Sequence, residues 1–168
     1  MVDKLMDLLR REKAAIAGAW VEKLLRSYPE EGAKFFKNQK NQFANPIGHT
    51  ISENLPVIFE EIIGENNQLR MKNLLRDIVR IRAVQEFTPS EAIRFVFLLK
   101  EAIHDTLQPD VFERLSTDDL HKLDAIIDKT ALIAFDLYME SREKLFKLRL
   151  NEVKMRFAES FLMKNGNS

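Results

Sequence analysis

Any chemistry in this chain has to come from a short roster of side chains. The soft nitrogen ligands are three histidines, His49, His104 and His121, and there is no cysteine. That removes disulfides, thiolate nucleophiles and cysteine-held zinc or iron–sulfur centres. Glu101-Ala102-Ile103-His104 matches one half of the Glu-x-x-His pattern of di-iron helical bundles. Such a site needs a second copy and two more glutamates, and the sequence has no second copy. A lone helical histidine can also ligate haem, and His104 lies beside an apolar helix face from which it could turn inward. A haem- or metal-binding helical protein of the globin-sensor type is therefore the alternative reading. The expectation is no cofactor and no metal, because a single histidine beside a core stripe is more often hydrogen-bonded or half-exposed. No serine sits in a glycine-rich elbow and no glycine-rich phosphate loop occurs, so no enzyme is expected. Arg76, Arg80 and Arg82 resemble an anion patch, but Asp77 and Glu86 follow closely and a solvated helix face is the expectation.

The densest polar chemistry is Asn41-Gln42-Phe43-Ala44-Asn45-Pro46-Ile47-Gly48-His49-Thr50. Capping explains Asn45, Pro46 and Gly48: an N-cap amide, then proline at the first helical position. If a small ligand binds anywhere, Phe43, Asn45 and His49, with His104, are the candidates, at a helix N-terminus.

The elements that position these residues read as helices throughout. Leu5, Leu9, Ile16, Trp20 and Leu24 give a first helix over about Val2 to Arg26, and Phe35 and Phe36 a short one. Ile47, Ile51, Leu55, Ile58 and Ile62 follow as one stripe, kinked at Pro56. Met71, Leu74, Leu75, Ile78 and Ile81 face inward from a helix over about Gln68 to Val84. Thr88-Pro89-Ser90-Glu91 is a capping box with proline at the first position. The helix it opens buries Ala92, Phe95, Val96, Leu99, Ile103 and Leu107 and stops at Pro109, with Val111 to Leu115 a connector. No period-two strand occurs, so the fold class is all-α, a single helical bundle.

The last third sets the architecture. Between Pro109 and Gly166 there is no proline or glycine, and Ser116-Thr117-Asp118-Asp119 supplies helix-start chemistry. A helix from Thr117 to about Met163 is on the order of 65–70 Å long, while a domain of this size is about 30–40 Å across. One end is expected to project. Leu123, Ile126, Ile127, Leu132, Ile133, Phe135 and Leu137 mark the part packed in the body. Beyond Glu140 one stripe remains, Phe135, Met139, Phe146, Leu150, Val153, Phe157 and Phe161, with Arg142 filling one position. Its three- and four-residue steps form a heptad-like, coiled-coil seam for a homodimer. The expected division is a body over 1–140 and an arm with a frayed tail over 141–168.

Composition bounds the partners. The 168 residues carry 26 Lys plus Arg and 26 Asp plus Glu, so no net field steers the chain to nucleic acid or an anionic membrane. The N-terminus has acids where a signal peptide would be basic and apolar, and no apolar run spans a membrane, so a cytoplasmic protein is expected.

Phe43-Ala44-Asn45-Pro46-Ile47-Gly48-His49-Thr50-Ile51 and the run Ile78 to Ala92 resemble the N-terminal domain of RsbRD-type proteins, as does Ala134-Phe135-Asp136-Leu137-Tyr138 followed by Arg142-Glu143. The resemblance extends to about Arg156. It implies a bacterial sensory domain of the stressosome and histidine-kinase kind, dimeric and globin-like without haem. Such a domain passes a signal through its C-terminal helix to a STAS- or kinase-type partner, in stress response. After Lys164 there is no room for an output domain, so the expectation is a free-standing sensor or a piece cut at a linker.

Overall fold

Four helices begin where a side-chain oxygen replaces a missing backbone acceptor. Asn45 Oδ1 accepts from Gly48 N at 2.8 Å, and Asn67 Oδ1 from Arg70 N at 3.1 Å. Thr88 and Ser116 each open a reciprocal capping box, with Glu91 and Asp119 returning a bond to the cap residue's own N–H at 2.9 and 3.0 Å. Gly48 is required for close approach: a Cβ there would overlap the Asn45 side chain.

A computed structural model describes residues 4–29, 32, 38, 43–64 and 67–166. Among them are seven helices and no strand: α1 (Lys4–Arg11), α2 (Lys13–Arg26), α3 (Pro46–Ile63), α4 (Gln68–Val84), α5 (Pro89–Thr106), α6 (Pro109–Glu113) and α7 (Thr117–Asn165). The fold is all-α with a long C-terminal helix. The five longer helices close a circuit in which α2 packs on α3 and α5, α4 packs on α3 and α7, and α7 packs on α5. The core fills that ring. Trp20, Phe59, Phe95 and Tyr138 are its largest buried side chains, and Trp20 Nε1 donates to the Phe95 carbonyl at 2.6 Å, which satisfies the buried indole.

Three expectations change. The first helix is two, divided at Glu12, whose backbone (φ −95°, ψ 11°) leaves the helical region. The offset lets α1 lean on α3, where Arg10 donates to the Ile63 carbonyl at 3.1 Å. The connector after Thr106 includes the short helix α6. Leu132 and Phe135 are not part of the packed side of α7; both are exposed, and Thr130, Ala131, Ala134, Leu137 and Tyr138 carry that side instead. Pro56 lies inside an α3 assigned as one helix. The short helix expected around Phe35 and Phe36, with Asn41 and Gln42, lies outside the described residues.

Helix α7 has 49 residues and is roughly 70 Å long, so it overruns its body. Leu145 is the last of its side chains packed against the core, and every residue from Phe146 to Asn165 is exposed.

Candidate functional site

The arm leaves the body at the turn between α4 and α5. That turn is a Schellman closure: Phe87 N donates to the Arg82 carbonyl at 3.2 Å, and Glu86 N to the Ala83 carbonyl at 3.1 Å. Such a closure needs a left-handed residue, usually glycine, and here it is Glu86 with φ 62°. The Glu86 carboxylate accepts from Arg149 of the arm at 3.0 Å, and Tyr138 of α7 donates its hydroxyl proton to the Phe87 carbonyl. The turn thus holds α7 at two points on either side of the place where it leaves the core.

Beneath the turn lies Arg82, a buried cation. Its guanidinium sits 4.4 Å from the Phe87 ring centroid and 5.3 Å from that of Tyr28. Nη2 donates to the Glu91 carbonyl at 2.8 Å and Nη1 to the Tyr28 hydroxyl at 3.2 Å, while buried Nε meets no acceptor among the described residues. Burial pushes the Arg82 guanidinium below its ordinary value and the Tyr28 phenol above its own. Arg82 therefore belongs to the core and not to a surface anion patch.

Arg76 and Arg80 do face outward. With Val84 they form one wall of a groove of about 260 Å³ whose other wall is Glu140, Ser141, Lys144, Leu145 and Leu148 of α7. The acids that the sequence placed beside these arginines are turned elsewhere: Glu86 to Arg149, and Asp77 toward Asn54 Nδ2 at 3.4 Å. Periodicity marks Leu148 as lying opposite the aromatic stripe, but no local signal pairs it with Val84 of α4.

The stripe itself, Phe135, Met139, Phe146, Leu150, Val153, Phe157 and Phe161, is 41–75% exposed, and at 100° per residue it occupies a single face of α7. Arg142 and Glu143 flank it on opposite sides.

The residues suggested for ligand binding fall into two places. Asn45 is buried and occupied in capping α3, Phe43 projects beside it and His49 lies in the first turn of α3. His104 is at the far end of α5 and does not turn inward: its side chain is 75% exposed, beside Asp105 and Phe112. The inward histidine that the haem alternative would need is therefore not His104. Among the described residues no three His, Asp or Glu side chains gather as a metal site, and no helix is long and apolar enough to cross a membrane.

The sequence is similar to an uncharacterized protein of Archaeoglobus fulgidus, 28% identical over 140 residues that cover 79% of each chain. No solved structure matches it. The family model described as the RsbT co-antagonist protein rsbRD N-terminal domain matches residues 14–153, from the second helix through the first part of the projecting arm. The chain belongs to that family.

Proposed function

We propose that this chain is a non-enzymatic signalling module, with a helical body that receives an input and an arm that pairs with a second copy and carries the response. The observation behind this reading is the continuity of α7: one unbroken helix is clamped in the body by Tyr138 and Arg149 and then presents seven large apolar side chains to solvent. Membership of a family named for a co-antagonist of RsbT supports a regulatory role in stress signalling. A second copy fits the stripe because a parallel pair would set Arg142 of one helix opposite Glu143 of the other, twice, so the cation that interrupts the stripe gains a partner. The response would pass to a STAS- or kinase-type protein. Signalling of this kind requires an element with two states that an input binds unequally, and the clamp at the arm's root is that element.

Sedimentation of the full chain tests the pairing. The wild type should run as a dimer, and Phe146→Asp with Phe157→Asp should run as a monomer with an unchanged helical spectrum. A wild type that stays monomeric at every concentration would remove the arm from the mechanism.

A further inference from the structure

The groove between α4 and α7 has a composition that a solvated helix face does not explain. Its floor is aliphatic: Val84 and Leu148 remain 58% and 65% exposed, and Leu145 lies between them. Its rim carries three cations. Arg76 has only a distant carboxylate, Glu140 at 3.9 Å, and spends a second donor on Asn73 at 2.9 Å. Arg80 and Lys144 have no acid partner among the described residues. One carboxylate against three cations leaves the rim positive beside an apolar floor.

We infer that this groove binds a small amphiphilic anion, a carboxylate or similar head carried on a short aliphatic body. The head would lie between Arg80 and Lys144, where two charge-assisted bonds are available from two different helices. The tail would cover Val84, Leu145 and Leu148, taking from water the apolar area that the body leaves open. A volume of about 260 Å³ admits a molecule of medium-chain size. The site stands on the geometry of the groove. Its role as the input rests on the signalling reading above: because one wall is the body and the other the arm, an occupant ties Lys144 and Leu148 to α4 and biases the clamp at Glu86 and Tyr138.

Calorimetric titration of the full chain with sodium octanoate tests the site, with 1-octanol as the neutral tail and inorganic phosphate as the tailless anion. Octanoate should bind saturably at one site per chain. Each of the other two should bind at least about tenfold more weakly, as should octanoate to Arg80→Gln with Lys144→Gln, the loss expected for charge-assisted bonds. Both substituted side chains are exposed, so folding is preserved, and a matching thermal melt checks this. Equal octanoate binding by the double variant, binding of 1-octanol or phosphate as tight as that of octanoate, or no saturable octanoate binding each overturns the assignment. Repeating the titration on the Phe146→Asp, Phe157→Asp chain separates the two readings: a wild type that never dimerises sinks the pairing while the titration still decides the groove.

Discussion

The two halves of α7 are chemically alike in one respect only, that both are helix without a break. From Thr117 to Tyr138 the buried strip sets three small side chains, Thr130, Ala131 and Ala134, between the large ones Leu123 and Ile127 on one side and Leu137 and Tyr138 on the other. Small residues let α4 and α5 come close, and their neighbours Leu132 and Phe135 are left outside. From Phe146 onward the large side chains form the exposed stripe. Charge does not divide in the same way: Arg142, Glu143 and Lys154 border the stripe, whereas Lys144, Glu152 and Glu159 lie on the other side of the helix. Burial in the body therefore follows the closeness of the neighbouring helix, and apolar exposure in the arm follows its absence.

The largest test of that contrast is truncation of one aromatic in each region. Trp20→Ala removes a fully buried ring and its bond to Phe95, and should cost about 3–5 kcal/mol of unfolding free energy. Phe157→Ala should change the unfolding of the monomer by no more than about 0.5 kcal/mol while weakening self-association. Denaturant melts at a protein concentration low enough to suppress pairing measure both. A cost above about 1 kcal/mol for Phe157→Ala would mean that the arm folds back on its own body.

How much of this was legible follows the same divide. Caps and stops depend on a few local residues, so Asn45, Thr88, Ser116 and the limits of α4 and α5 could be read directly. The projection of α7 followed from its length. What could not be read depends on which neighbour a face meets. Leu132 looks more buried than Ala134, yet the alanine is inside. Arg82 looks like Arg80, yet one is core and the other lines the groove, because α4 turns 200° between them. Phe43 and His49 attract notice as chemistry, but Asn45 and Gly48 account for their surroundings as a cap.

That difference between neighbouring arginines gives the next effect in size. Arg82→Ala removes the donors that the Tyr28 hydroxyl and the Glu91 carbonyl receive from it and takes a cation from two rings, and should cost about 2–3 kcal/mol. Arg80→Ala, on the exposed side of the same helix, should fall within about 0.5 kcal/mol. Equal effects would show that Arg82 is as solvated as its neighbour.

Acid separates body from arm more gently. Hydrogen bonds from the Thr88 side chain, then its backbone, hold the Glu91 carboxyl below its ordinary range, and Ser116 does the same for Asp119. A depressed folded value means the contribution is present above the unfolded value and is lost as pH falls through the folded one, so it fades below about pH 4. Both caps open helices of the body. The thermal midpoint should drop through that window in the wild type and drop less steeply in Glu91→Gln, whose amide can still cap but cannot titrate. Parallel slopes would remove Glu91 from the account.

The smallest effect lies at the joint between the two regions, and there stability and coupling should part. Glu86 occupies a left-handed position that costs a non-glycine residue about 1 kcal/mol, and the carboxylate placed there reaches Arg149 at 3.0 Å. Glu86→Gly should relieve the backbone and stabilise the body by about 0.5 kcal/mol, after allowing for the freer unfolded chain. The same change frees Arg149, so amide exchange over residues 146–150 should quicken even as the body becomes harder to unfold. Arg149→Gln should quicken exchange without the gain in stability, since an exposed ion pair contributes little to folding. If Glu86→Gly leaves arm exchange unchanged, the turn is only a helix stop, and body and arm are joined by α7 alone.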